Sequence, residues 1–252
     1  MKAIELAQQI NQWLEPHKVK DYCPNGLQLE NSGKAIRKIA LAVSATLEVI
    51  TKAKEINAQA LIVHHGLFWD HEGVKGIQGT QYQKIKELIQ GDIALFAYHL
   101  PLDFHHQLGN NIQLAQALGL FDIQGILEEP GYPQGVMGRV QDWSFAELKE
   151  KLTKLLGREP LGIQAGPTQI QQIALVTGGG QKYFTSALAC GAQAFITGEA
   201  SEFIYGEAQE NQAHFFAAGH YATEQFGIQA LGNKICAQGQ LECVFIPTEN
   251  PI

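Results

Sequence analysis

Thiols, surplus positive charge and long apolar runs are all scarce in this chain of 252 residues. Its four cysteines, Cys23, Cys190, Cys236 and Cys243, form no Cys-x-x-Cys pair, which argues against a thiolate zinc site and for reduced, structural thiols. Lysine and arginine number 18 against 25 aspartates and glutamates, a net charge of −7 with no basic patch, so capture of nucleic acid is not expected. No apolar stretch reaches the length of a bilayer span, and the charged amphipathic start Met1-Lys2-Ala3-Ile4-Glu5-Leu6 is unlike a secretory signal. The expectation is a cytoplasmic protein that does not enter a membrane. What is plentiful is apolar content, 45% of residues, enough to build the core of one large or two modest globular domains.

Ala60-Leu61-Ile62-Val63-His64-His65-Gly66 is a short apolar run that ends in two adjacent histidines. It reads as a buried strand delivering both imidazoles at its C-terminal end, the end at which open α/β sheets bind ligands. Two later stretches share a further pattern, His99-x-x-x-Asp103 and His220-x-x-x-Glu224.

These pieces sit in an internal repeat. Aligning Ile36 with Ile170 without gaps gives ten identities in thirty positions, among them Ile-x-x-Ile-Ala-Leu at the start and Ala58-Gln59-Ala60 against Ala192-Gln193-Ala194. Each copy reads as strand, helix and strand: Lys38 to Ser44, Leu47 to Ile56 and Ala60 to Val63, then Gln171 to Thr177, Gln181 to Cys190 and Ala194 to Thr197. A further apolar run in each, Ile93 to Tyr98 and His214 to Ala218, leads into the His-x-x-x-acid motif. The copies differ where His64-His65 meets Gly198-Glu199. The expected fold class is therefore α/β, built of two related halves with an asymmetric ligand set between them.

From about Asp122 to Thr168 runs a different stretch around one clear helix, with Ser144 and Glu147 as its capping box and Leu148, Leu152, Leu155 and Leu156 as its apolar stripe up to Gly157. It is read as the start of a second domain, giving domains at 1–121 and 122–252, with a final strand at Leu241 to Pro247.

Imidazole and carboxylate donors without thiolate suit divalent zinc, manganese, nickel, cobalt or iron. The set His64, His65, Asp103, His220 and Glu224, with His99 close by, exceeds what one tetrahedral ion uses, and one carboxylate could bridge, so two ions are expected. Neighbouring residues of a regular strand face opposite ways, so either the strand bends at His64 and His65 or each serves a different ion. His17, His71, His105, His106 and His214 lack the repeat relationship and are read as surface, loop or supporting groups. Asp21-Tyr22-Cys23-Pro24-Asn25-Gly26-Leu27-Gln28 reads as a turn after the first helix. Gly178-Gly179-Gly180 could hold an anion but lacks the Lys-Ser/Thr of a P-loop, and a tight turn is an equal reading.

Over essentially its whole length the chain resembles the GTP cyclohydrolase 1 type 2 homologues, relatives of the yeast NGG-interacting factor three. The motifs that carry the likeness are Pro24-Asn25-Gly26-Leu27-Gln28, Val63-His64-His65-Gly66-Leu67-Phe68-Trp69, Tyr98-His99-Leu100-Pro101-Leu102-Asp103 and Gly219-His220-Tyr221-Ala222-Thr223-Glu224. Tyr22-Cys23-Pro24 departs from the family, whose members commonly have a tryptophan and an acidic residue there. The resemblance implies a two-domain subunit, a dinuclear metal centre held by His64, His65, Asp103, His220 and Glu224, and a toroidal homohexamer. It also places His99 at the site as a ligand or an acid/base group. Metal-dependent hydrolysis of a nucleotide or similar small molecule is the expected activity, with His99 as proton shuttle. A metal-dependent phosphoesterase, an amidohydrolase, or a non-enzymatic metal scaffold or chaperone would draw on the same donors.

Overall fold

The computed structural model describes residues 1–70, 76–129, 132–239 and 241–252. Two compact units emerge, Met1–Leu102 with Ile228–Glu249, and Asp103–Gly227 with Asn250–Ile252. They are not the contiguous halves 1–121 and 122–252. The C-terminal segment returns to the first unit because its strand finds an edge there.

The first unit holds five strands: β1 (Gly26–Leu29), β2 (Lys38–Ser44), β3 (Ala60–His65), β4 (Ala94–Ala97) and β11 (Glu242–Phe245), in the order β1-β4-β3-β2-β11. Strands β2, β3, β4 and β11 run parallel, and β1 closes one edge antiparallel to β4. Buried on both faces, the central strands read as continuous apolar runs, as parallel sheets require. One face packs against α2 (Leu47–Glu55) and α3 (Gly79–Gln90) through Val49, Ile50, Ala53 and Leu88. Thr46 starts α2 by accepting from the Val49 backbone N–H at 3.1 Å. The amphipathic helix α1 (Ala3–Leu14) buries Leu6, Ile10 and Leu14.

The second unit holds six strands: β5 (Phe121–Glu129), β6 (Tyr132–Trp143), β7 (Leu161–Ile163), β8 (Ile170–Leu175), β9 (Ala194–Thr197) and β10 (His214–Ala217), in the order β5-β6-β8-β9-β10-β7. Strands β8, β9 and β10 are parallel and the others antiparallel. One face packs against α5 (Asn110–Leu118) and α6 (Phe145–Leu156) through Leu114, Leu118, Leu148 and Leu152. The other packs against α7 (Phe184–Ala189) and α8 (Ile204–Glu210) through Phe184, Ala187, Ile204 and Ala208. The capping box of α6 forms as expected, with Ser144 Oγ accepting from the Glu147 N–H at 3.2 Å and the Glu147 carboxylate accepting from the Ser144 N–H at 2.6 Å.

Gln59 and Gln193 have the same structural job, one in each unit. Gln59 Oε1 accepts from the backbone N–H groups of Arg37 and Lys38, both at 3.0 Å, and Gln193 Oε1 accepts from those of Gln171 at 2.7 Å and Gln172 at 3.1 Å. Each clips the entry of its unit's first parallel strand to the start of the next. Among the described residues no helix is long and apolar enough to cross a membrane.

Candidate metal centre

In the first unit the parallel strands point their C-terminal ends at three imidazoles. His64 and His65 close β3, and His99 follows β4 just before the short helix α4 (Leu100–Phe104). A regular pleat would send the first two rings to opposite faces. Instead their centroids are 4.6 Å apart, and His99 lies 5.0 Å from His64 and 5.7 Å from His65. Pairing explains the bend. Strand β3 stays with β2 as far as Ser44 and His65 but last matches β4 at Val63 and Ala97. One ligand atom from each of the three histidines falls within 4.8 Å of the others.

The orientation of each ring is set by Nδ1. His64 Nδ1 donates to the Tyr98 carbonyl at 2.9 Å, and His65 Nδ1 meets Ser44 Oγ at 3.0 Å. His99 Nδ1 donates to Asp21 Oδ1, also at 2.9 Å. Asp21 is itself held by backbone N–H groups of Tyr22 at 2.7 Å and Leu100 at 2.9 Å, and by Asn25 Nδ2 at 2.8 Å. Asn25 Oδ1 in turn accepts from the His99 N–H at 2.7 Å. Burial works against the Asp21 carboxylate, but the hydrogen bond and charge of His99, with the Asn25 and Tyr22 bonds, hold its pKa below the usual value. The expected Asp21–Gln28 turn is thus a seat for His99. Cys23 is buried beside it, its thiol within 4.8 Å of donor atoms of Asp21 and His99. Tyr22 and Trp69 pack edge-on against the His99 ring at 5.0 and 5.2 Å.

The second unit gathers the complementary donors. Asp103, carried by α4, is buried; its Oδ1 accepts from Asn110 Nδ2 at 2.8 Å. His220 opens α9 (His220–Thr223), and its Nε2 lies 3.1 Å from Glu224 Oε1. Carboxylate oxygens of Asp103 and Glu224 lie within 4.8 Å of each other. His220 Nδ1 donates to Glu199 Oε1 at 2.6 Å. Burial alone would lower the His220 pKa, but the carboxylates of Glu224 and Glu199 push it up to about 9.

The mismatch between His64-His65 and Gly198-Glu199 now has a reason. Glu199 fixes the His220 ring, and Gly198 lets the His220 backbone pass: a Cβ there would stand 2.6 Å from His220 Cα and from the Gly178 carbonyl. The glycine run is a tight turn at Gly178, whose N–H donates to Thr223 Oγ1 at 3.0 Å while its carbonyl accepts from the Gly198 N–H at 2.8 Å.

All four histidines named at the site share one arrangement, Nδ1 on an oxygen. Where that oxygen is a carbonyl or carboxylate, Nδ1 must be the donor, so Nε2 is the ring nitrogen that a divalent ion would take. His214 shows the opposite pattern: Nδ1 accepts from the Gly166 N–H at 3.1 Å and Nε2 donates to the Pro167 carbonyl at 2.8 Å, so both nitrogens serve the fold. His105 Nδ1 accepts from the N–H groups of Gln107 and Leu108, both at 3.0 Å. His71 lies outside the described residues. Sequence spacing points to the candidate donors but not to Asp21, Ser44, Asn110 and Glu199, whose side chains hydrogen-bond them from other elements. For Glu199 the signal was present, since it aligns with His65.

Among the described residues three of the four donor sets hold only nitrogen and oxygen groups, which fits a borderline divalent ion, and the fourth adds the Cys23 thiol to Asp21 and His99. The profile of the Duf34/NIF3 (NGG1p interacting factor 3) family matches residues 1–251. A protein of Vibrio cholerae, named GTP cyclohydrolase 1 type 2 homolog, is 42% identical over 257 residues, covering 100% of both chains. A protein of the same name from Pseudomonas aeruginosa is 41% identical, covering 98% of this chain and 97% of its own. Among solved structures, the protein ybgI, described as of unknown function, superposes with a TM-score of 0.94 at 41% identity over 100% of both chains.

Proposed function

The chain belongs to the Duf34/NIF3 family, and from that premise we propose that it is a metal-dependent hydrolase whose donors, His64, His65, Asp103, His220 and Glu224, hold two divalent ions. The observation that carries this reading is the shared use of Nδ1 at His64, His65, His99 and His220. Rings held in that way are what first-row metal sites need, because the bond at Nδ1 fixes both the tautomer and the direction of Nε2. The donor count supports two ions rather than one. Zinc, manganese, nickel, cobalt and iron all suit these donors.

Bound ions of this kind supply a polarised electrophile and a water that ionises near neutral pH. The chain's own residues do the rest. His99 moves the proton at Nε2, with Asp21 holding Nδ1 so that the ring keeps its direction as it gains and loses charge. Asn110 steadies the Asp103 carboxylate, and Glu199 steadies the His220 ring. The substrate proposed is a nucleotide or similar small molecule, following the name of the relatives. A cytoplasmic, ring-shaped homohexamer belongs to the same proposal, carried by the family resemblance. Light scattering coupled to gel filtration tests the assembly, and a monomer at micromolar concentration would contradict it.

The activity is tested by loading the full-length protein with each metal in turn and assaying nucleotides, phosphodiesters and cyclic amides. Turnover of at least one class, lost in His99→Ala by about a hundredfold with metal content kept, is the expected result. Silence across the whole panel would contradict a hydrolase.

A further inference from the structure

Arg158 follows Gly157, the left-handed residue that ends α6, and precedes β7. Because β7 runs antiparallel to β10, with Leu161 opposite Ala217, this connection passes beside the carboxyl end of β10, where Gly219 and His220 follow. The Arg158 side chain packs against Gly219. A Cβ at that position would stand 2.9 Å from Arg158 Cζ, and Gly219 has a φ of 100°, a backbone conformation that favours glycine.

Among the described residues Arg158 Nη1 is buried and has no hydrogen-bond partner. A buried guanidinium nitrogen without an acceptor is costly, because water has been removed and nothing replaces it. The adjacent carboxylate does not supply one, since Glu159 pairs with Lys149 at 2.6 Å. Apolar stacking alone would not select an arginine here, as a methionine would cover Gly219 without the penalty. An arginine kept at a sheet's ligand-binding end, one residue from a histidine of the metal centre, is explained if an acceptor arrives from outside the chain.

We propose that Arg158 is a binding residue for an oxyanion group, a phosphate or a carboxylate, on a molecule that enters beside His220. The planar fork of the guanidinium offers two parallel N–H groups to such a group, which a lysine cannot do. The oxyanion site stands on Arg158 itself. Its assignment to the substrate rests on the hydrolase reading and narrows the substrate class to anionic molecules.

The test uses full-length, metal-loaded protein and its Arg158→Met and Arg158→Lys variants. Thermal unfolding is followed in inorganic phosphate, in acetate and in chloride at matched ionic strength. Oxyanion held by the metals contributes equally to all three proteins, so the difference between them isolates Arg158. The wild type should gain about 3–6 °C at ten times the dissociation constant of the preferred oxyanion. Arg158→Met should gain clearly less and Arg158→Lys an intermediate amount. A larger gain in phosphate identifies a phosphorylated ligand, and a larger gain in acetate a carboxylate. In chloride Arg158→Met should unfold no lower than wild type, because it removes an unsatisfied buried group. Equal gains in wild type and Arg158→Met, no gain in either oxyanion, or a marked loss of stability in Arg158→Met would each overturn the proposal. Failure of the hydrolase reading is separate: it is silence in the activity panel with the Arg158-dependent gain intact.

Discussion

Asp21 Oδ1 lies 2.9 Å from His99 Nδ1, and both side chains are buried. A carboxylate in that position sets the tautomer and the direction of the imidazole. Asp21→Asn should therefore disturb the centre without touching a proposed ligand. An amide has one acceptor oxygen, whereas Asp21 accepts from His99, Tyr22, Leu100 and Asn25. Turnover by the metal-loaded protein should fall about ten- to a hundredfold with the metal content and the far-ultraviolet spectrum unchanged. Unchanged turnover would remove Asp21 from the account.

Gln59 and Gln193 should matter for stability and not for metal. Gln59→Ala strips the acceptor from the Arg37 and Lys38 N–H groups, and Gln193→Ala does the same at Gln171 and Gln172. Each should cost about 1–2 kcal/mol, less where water reaches the freed groups. Denaturant titration checks the loss, and elemental analysis should find metal content as in wild type.

His214 gives a stability effect with a definite sign. Burial holds its pKa below the ordinary 6.5, against a smaller opposing contribution from the Pro167 carbonyl. The unfolded chain therefore takes a proton at this position before the folded one does. Its effect on stability is absent above about pH 6.5 and destabilising as the pH falls from there toward the lower folded value. His214→Gln should flatten the pH dependence of the urea midpoint in that window. Parallel curves for variant and wild type would show that His214 does not contribute.

The strands that carry the donors were legible because parallel, doubly buried strands leave short apolar runs, and the His-x-x-x-acid motifs mark where two of them end. Other features depend on partners distant in sequence. The parallel pairing of β11 with β2 brings Glu242 beside Lys38, and it is this return that breaks the contiguous division at 121/122. The expected final strand, Leu241 to Pro247, is found at Glu242–Phe245. The convergence of His64 and His65 follows from where β3 leaves β4, which alternation alone does not reveal. Asp21 was hidden in a turn because its acceptor role exists only once Leu100 and His99 fold back onto it. Gln59 and Gln193 were visible as identities, but their use in clipping strands emerges only from the hydrogen bonds.

The central claim, two divalent ions per chain held by the proposed histidine and carboxylate donors, is tested most directly by elemental analysis of purified full-length protein after metal supplementation and dialysis. The account predicts close to two ions per chain, and fewer in Glu224→Gln, where an amide replaces a charge that offsets two nearby cations. The Glu224→Gln chain should stay folded, since the residue stands at the end of the short helix α9. A folded wild-type protein that binds no more than one ion, or a Glu224→Gln variant that holds two as tightly as wild type, would contradict it.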